Sequence, residues 1–258
     1  MGVFPGLTNL LAKHAFTQLD RVEELRVCIV LAIAEPQKRL AALRTAGRSA
    51  SWESMLVAAS GEQIRYRAGS WENLQIVPAE VEVQMPPGRT VTAYPIRLSE
   101  AITLPRYLPG VRTVTTLFSL LPSRADSLFR EQAERLSVGE CSAPQAVLSL
   151  FEAFAAEPGE AMALSSAPPL VPIWVEAFGH QDGRRARYSC WPIGGWASTE
   201  SILATAALKL LRGEIRAHGV LPPEAVFEPL AFFAEVAQSG ARKLEPAGLL
   251  GELPTWCE

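Results

Sequence analysis

Strict alternation of apolar residues marks one segment near the start of the chain, at Leu25, Val27, Ile29, Leu31 and Ile33. A period of two residues places these side chains on one face of an extended strand. The segment just before it has helical spacing instead, at Leu7, Leu10, Leu11 and Ala15. The sequence therefore predicts a helix that leads directly into a strand with one buried face.

A hairpin is the clearest signal in the second half of the chain. Asp182-Gly183 separates an alternating segment with Val171, Ile173 and Val175 from a returning strand over 184–191. Glycine accepts the positive φ that such tight turns require. Residues 171–191 are thus predicted to form two antiparallel strands, and the arginines of the returning strand are expected on an exposed edge.

Helical patterns occupy much of the remaining chain. Ser123 and Asp126 indicate a capped helix to about Leu136, and Ser142 with Pro144 opens another that ends at Pro158-Gly159. A helix from Ser198 to Leu211 is apolar almost all round and is expected to be covered on two sides. A last helix runs from near Pro229 to Gly240, with its buried face predicted at Leu230, Phe233, Ala234 and Ala237.

Strands interspersed with helices, and one clear hairpin, favour a single α+β domain over residues 1–258. We expect a mixed β-sheet with helices packed mainly on one face.

Composition excludes several classes of protein. The net charge is −3 and no run of Lys or Arg is present, which argues against a nucleic-acid partner. No stretch of roughly 18 apolar residues predicts a membrane span, and residues 1–6 lack the pattern of a secretory signal. A cytoplasmic location is the corresponding expectation. The four cysteines and three histidines are scattered, so no metal site is predicted.

Sequence motifs of self-contained enzymes are missing. There is no GxGxxG, no GxxxxGK[ST] and no GxSxG. A hydrolase triad assembled from remote Ser, His and Asp residues stays open as an alternative. No side chain stands out as a catalytic acid or base.

Two glycine-bearing helix entrances remain. The first is Phe4-Pro5-Gly6-Leu7-Thr8-Asn9, and the second is Gly194-Gly195-Trp196-Ala197-Ser198-Thr199. Free amide groups at a helix start favour an anionic ligand. Ordinary loop-to-helix junctions would have the same composition, so the local pattern leaves both interpretations open.

The first entrance, in the segment Gly2–Ala12, resembles the start of the catalytic domain in saccharopine-dehydrogenase-like proteins, just after their Rossmann domain. Near the far end, Leu210–Ile215 and the Gly-Val-x-x-Pro-Glu sequence of Gly219–Glu224 resemble the closing helix and turn of the same family. The likeness covers about residues 2–33 and 171–240.

The resemblance implies the C-terminal substrate and dimerisation domain of an NAD(P)-dependent oxidoreductase that acts on a C–N bond. An N-terminal Rossmann domain, absent from this chain, would bind NAD or NADP, with no cofactor expected on this chain alone. Residues 1–20 and 196–258 would lie near the junction with that domain. A homodimer and a small amino-acid-like substrate are also implied.

The resemblance also assigns site residues. Those implied to face the cleft between nicotinamide and substrate are Pro5, Gly6, Thr8, Asn9, Gly195, Ser198 and Thr199. A non-catalytic binding or assembly module derived from the same half-fold is the alternative function.

Overall fold

The computed structural model describes residues 1–33, 35–74, 80–86, 88–157, 172–193, 198–239 and 248–256. The helices in these ranges are α1 (Leu7–Phe16), α2 (Pro36–Ala46), α3 (Ala50–Ala59), α4 (Glu100–Tyr107), α5 (Ser123–Ser137), α6 (Ala143–Ala156), α7 (Thr199–Leu211), α8 (Pro223–Val226) and α9 (Pro229–Ser239). The strands are β1 (Arg21–Ala32), β2 (Gln63–Arg67), β3 (Ser70–Leu74), β4 (Val81–Met85), β5 (Arg89–Pro95), β6 (Thr113–Leu121), β7 (Ile173–Gln181), β8 (Arg184–Pro192) and β9 (Leu250–Trp256).

The described strands form one mixed sheet with the order β3-β2-β6-β1-β7-β8-β9. Strand β5 pairs with β6 beside this path, and β4 pairs with β5. Among the described strands only β1 and β6 run parallel, with Leu25 opposite Val114 and Ile29 opposite Phe118. The predicted mixed α+β class is confirmed.

Helices cover one face of this sheet, as predicted. Leu25 and Val27 of β1 pack into one apolar cluster with α1 and α9, and Ile29 packs into another with α5 and α6. The opposite face is covered differently, because Cys28 and Val30 contact the β4–β5 hairpin. The expectation that β1 has one buried face is therefore wrong over its second half. A central strand, paired on both edges, is buried on two faces wherever a second layer crosses it.

The predicted hairpin is present as β7 and β8. Asp182 has a φ of 52° and Gly183 a φ of 73°, the two positive values of a type I′ turn. Val171 lies outside the described residues. Strand β8 is not a sheet edge, since β9 pairs with it along its length. Arg187 accordingly is not a solvated edge residue: its guanidinium pairs with the buried carboxylate of Glu176.

Of two predicted helix caps, the structure contains one and not the other. Ser142 begins α6 as a capping residue, with its N–H donating to Gln145 Oε1 at 2.9 Å. Asp126 does not cap α5, because its Oδ1 accepts the N–H of Leu120 at 2.8 Å and so ties the helix to the end of β6. Burial raises the pKa of Asp126 to about 6, partly offset by that hydrogen bond. The predicted stop at Pro158-Gly159 lies outside the described residues.

The C-terminal helices are less buried than predicted. Within α7 only Ile202 and Thr205 are buried, whereas Leu210 and Leu211 are 62% and 82% exposed. The expectation that α7 is covered on two sides is wrong for the described fold. In α9 the buried residues include Phe232, Phe233, Val236 and Ala237, but Leu230 is exposed. Helical periodicity identifies an apolar face without showing what covers it.

His14 fixes α1 to the far edge of the sheet. Its Nε2 lies 2.7 Å from Glu252 Oε1 of β9 and 3.2 Å from the Tyr188 hydroxyl of β8. His14, Tyr188 and Glu252 thus form one polar cluster between α1 and the sheet. His14 therefore has a structural role.

Candidate functional site

The first glycine-bearing entrance forms a tight N-terminal turn, which we define as residues 2–6. Leu7 N–H donates to the Gly2 carbonyl at 2.9 Å, Thr8 N–H to the Val3 carbonyl at 3.1 Å, and Gly6 N–H to Asn9 Oδ1 at 2.9 Å. These amides are therefore satisfied within the chain. The sequence-based idea that they are free for an anionic ligand is wrong for these three groups.

Gly6 is required by the backbone of this turn. Its φ is 141°, and a Cβ at this position would lie 2.1 Å from the Gly2 carbonyl oxygen. Neither the conformation nor the space allows another residue without a shift of the backbone. Gly6 shapes the turn and presents no group of its own.

Thr8 and Asn9, the next two predicted cleft residues, are directed into the protein. Thr8 Oγ1 donates to Glu100 Oε1 at 2.5 Å, and Asn9 Nδ2 donates to Thr103 Oγ1 at 3.1 Å. Thr8 is fully buried and Asn9 is 1% exposed. Their side chains fasten α1 to α4, although Asn9 also reaches the wall of a cavity described below.

A cavity of about 750 Å³ opens at the carboxyl end of β1, and we call it the β1 cleft. Its floor is formed by Val30, Leu31 and Ala32, and the N-terminal turn with Pro5 forms one wall. Trp52 of α3 and Arg39 of α2 lie on other sides. Open α/β sheets bind ligands beyond the carboxyl ends of their parallel strands, and this cleft occupies that position for β1. A mostly apolar wall with a few polar groups is typical of small-molecule sites.

Trp52 is held rigidly at the edge of this cleft. Its ring meets Phe151 of α6 edge to face, with ring centroids 5.1 Å apart, and it also contacts Phe129 and Phe154. Such aromatic contacts fix the indole orientation. The tryptophan is therefore a preorganised surface against which a ligand could pack.

The second entrance is only partly described. Gly195 lies outside the described residues. Ser198 caps α7, with its Oγ accepting the Ser201 N–H at 3.2 Å, so its hydroxyl is engaged in the helix start. Thr199 lines the β1 cleft and approaches the N-terminal turn closely, because a Cβ on Gly2 would lie 3.2 Å from its Cγ2. The structure thus brings Pro5 and Thr199 to one cleft and leaves Thr8 and Ser198 in structural contacts.

A second cavity of about 720 Å³ lies on the other side of the N-terminal turn, and we call it the α7 cavity. Pro5, Asn9 and Thr103 share its wall with Leu203 and Leu210 of α7 and with the 215–223 loop. The predicted site residues are consequently divided between two cavities, with Pro5 common to both.

Two buried carboxyl groups lie behind the wall of the α7 cavity, on Glu100 and Glu224. Glu100 is fully buried and Glu224 is 3% exposed. Among the described residues neither oxygen of Glu224 has a hydrogen bond of ordinary geometry. Burial raises the pKa of both groups, and the Glu224 charge raises that of Glu100 further. The polar groups of Thr103 and Asn9 lower the pKa of Glu224 only in part.

Sequence reasoning did not find this carboxyl pair. Glu224 ends the Gly-Val-x-x-Pro-Glu turn, which drew attention as a resemblance but not as a chemical group. Glu100 lies 92 residues from its hydrogen-bond partner Thr8, a separation that no local pattern reveals. Buried carboxyls with raised pKa values are a feature that functional sites often share.

Within the described part of the chain, no cluster of three or more His, Cys, Asp or Glu side chains could hold a metal ion. No described helix is long and apolar enough to cross a membrane. Cys28 and Cys190 are buried free thiols, and Cys141 is a half-buried one.

The sheet, its single helical face and the β1 cleft define an α+β domain of mixed topology. The fold is similar to that of a solved structure, an apo histidine-tagged saccharopine dehydrogenase (L-Glu forming) from Saccharomyces cerevisiae, with a TM-score of 0.56. The two chains are 15% identical, and the superposition covers 99% of this chain and 73% of the yeast chain. No protein family and no curated protein sequence matches the chain. The chain therefore has a saccharopine-dehydrogenase-like fold.

Proposed function

We propose that this chain supplies the substrate side of an NAD(P)-dependent oxidoreductase that acts on a C–N bond of a small amino-acid-like molecule in the cytoplasm. The fold similarity supports the class. The observation that carries the proposal is the position of the N-terminal turn. Pro5 and Thr199, from the two segments that carry the family resemblance, meet at the β1 cleft beyond the end of a parallel strand.

The nucleotide would bind on a separate N-terminal Rossmann domain. The start of α1 offers a poor fit to its phosphates, because the amides of Gly6, Leu7 and Thr8 already have acceptors. A dinucleotide site needs such amides free at a glycine-rich helix start. This chain's contribution is therefore to bind and orient the substrate, and the chemistry of hydride transfer belongs to the cofactor.

The substrate is proposed to pack against Trp52 in the β1 cleft. In a titration of the ¹⁵N-labelled chain with saccharopine, we expect the Trp52 indole N–H resonance to shift saturably. The signal is assigned with Trp52→Phe. Trp256, on β9 at the opposite end of the sheet, is the internal control and should not shift. Equal shifts of both resonances would contradict the proposal. The absence of any shift at about 10 mM ligand would also contradict it, since that concentration detects a binding free energy of about −3 kcal/mol or stronger.

We also propose that two copies associate through the exposed face of α7. Leu203, Leu210 and Leu211 are more than half exposed, and Val220 beside them is fully exposed. Contiguous apolar surface of this kind is typical of subunit contacts, which are most often two-fold. Helix α1 takes no part in this proposed contact, since Leu7, Leu10 and Leu11 are fully buried in the core.

Sedimentation tests this association. We expect a dimer at concentrations of tens of micromolar, and we expect Leu211→Glu to shift the chain to monomer because it places a charge in the contact. Leu253→Glu, at an exposed position of β9, is the matched control and should leave the dimer intact. A monodisperse wild-type monomer would refute the dimer without bearing on the β1 cleft.

A further inference from the structure

A third cavity lies at the end of the sheet opposite to the β1 cleft. It has a volume of about 510 Å³ and forms where β1 begins, beside Glu23 and Glu24. Three arginines from three different elements line it: Arg67 at the end of β2, Arg112 before β6, and Arg185 of β8. We call it the arginine cavity.

The three guanidinium groups have no carboxylate partner among the residues that the structure describes. Within the described ranges, none of Arg67, Arg112 and Arg185 forms an ion pair, and the two glutamates that share the wall are already engaged. Glu23 pairs with Arg21, and Glu24 pairs with Arg26 at 2.6 Å. The cavity and its ion pairs therefore combine five arginines with two glutamates, an excess of three positive charges.

Glu23 is held in its charged form and is already paired with Arg21. The hydrogen bond from Arg21 lowers the pKa of its carboxyl, and the positive charge of Arg185 lowers it further. Arg185 thus acts on Glu23 at a distance without forming a contact pair with it. Its side chain lines the cavity.

Backbone hydrogen bonds fix the segments that carry Arg67 and Arg112. Arg112 N–H donates to the Glu23 carbonyl at 2.8 Å, and the Arg112 carbonyl accepts the Gly69 N–H at 3.0 Å. The turn after Arg67 is tight, with a φ of 50° at Ala68 and 87° at Gly69. The segments that carry Arg67 and Arg112 are therefore bonded to each other and to β1. Only the side chains must order when a ligand binds.

We propose that the arginine cavity binds a small, multiply charged oxyanion of the phosphate class, at a site separate from the substrate cleft. A guanidinium presents a planar fork of N–H donors that matches phosphoryl oxygens in pairs and keeps its charge at all relevant pH values. Three such groups around a volume of several hundred Å³ suit a ligand larger than one phosphate. The proposal does not depend on the oxidoreductase function.

Isothermal titration with pyrophosphate tests this site. Wild-type chain should bind it saturably, and Arg112→Gln and Arg185→Gln should each weaken binding about tenfold because each removes a charge-assisted pair. Arg67→Gln provides a third variant if either fails to fold. Arg216→Gln removes the same charge from an exposed loop far from the cavity and should change the affinity less than about twofold.

The outcomes separate the alternatives. Saturable pyrophosphate binding that the cavity variants weaken and the Arg216 variant does not supports the site. No wild-type binding, or equal weakening by all four variants, overturns it, since a diffuse surface charge would then account for any affinity. Binding of citrate without binding of pyrophosphate would overturn the assignment to the phosphate class.

Discussion

Gly6→Ala is expected to destabilise the chain by about 3 kcal/mol or more, from backbone strain and a steric clash together. The alanine Cβ would lie 2.1 Å from the Gly2 carbonyl oxygen. That carbonyl cannot move freely, because it accepts the Leu7 N–H at the start of α1. Since eight of the ten residues of α1 are buried, the strain reaches the core of the fold. Urea unfolding followed by circular dichroism measures the loss.

Gly47→Ala is the matched control for this prediction. Gly47 has a φ of 76°, so alanine there is also strained, but a Cβ would meet nothing within 4 Å. The cost should be only the backbone penalty of about 1 kcal/mol. Equal losses in the two variants would mean that the N-terminal turn is not as closely packed as described.

Glu224→Gln is expected to stabilise the chain at pH 8 by about 1 kcal/mol or more, because burial disfavours the charged carboxylate and each unit by which the pKa is raised corresponds to about 1.4 kcal/mol. Both carboxylate oxygens are buried without a hydrogen bond of ordinary geometry among the described residues, although Thr103 and Asn9 lie close enough to lower the pKa in part. Glutamine has nearly the same shape without the charge. Few substitutions of a natural residue stabilise a protein this much, so the sign of the effect is itself informative.

The pH dependence provides a second readout. Burial raises the pKa of Glu224 above its ordinary value of 4.5, so the folded chain binds more protons than the unfolded chain in the window above that value. Wild-type stability therefore falls as the pH rises through this window, and the glutamine variant should lose this part of the slope.

Glu228→Gln is the control, because that side chain is 74% exposed and lies 3.9 Å from Lys13. It should change the stability by less than about 0.5 kcal/mol at any pH. Destabilisation of the Glu224 variant at pH 8 would show that the carboxylate makes a favourable contact in the fold.

Local patterns predicted the elements that local chemistry determines. The alternation at Leu25–Ile33 gave β1, and Asp182-Gly183 gave the β7–β8 hairpin, because a period and a turn type are properties of adjacent residues. The capping residue Ser142 was recognisable for the same reason. The class of fold followed from the order of these elements.

Features that depend on distant residues were not predictable. The second buried face of β1 requires the β4–β5 hairpin, which lies more than 50 residues along the chain. The exposure of Leu210 and Leu211 could not be inferred from the apolar sequence of α7, because distant parts of the chain determine which of its faces are covered. Thr8 and Asn9 were expected to face a ligand, but α4 supplies Glu100 and Thr103 as their partners.

The predicted site is therefore divided by tertiary structure. Pro5 and Thr199 lie at the β1 cleft, whereas Gly6 is needed for the turn itself. The carboxyl pair of Glu100 and Glu224 is a chemical feature that only the fold assembles. The resemblance did not distinguish the residues that face a cavity from those that support the fold.

The central claim is that this chain binds the substrate and that a separate domain binds the nucleotide. Calorimetric titration of the isolated chain with NADH and with NADPH tests it most directly. The account predicts no binding in the micromolar range for either nucleotide, because the amides of Gly6, Leu7 and Thr8 at the start of α1 are already hydrogen-bonded within the chain. Saturable micromolar binding of NADH or NADPH would contradict it.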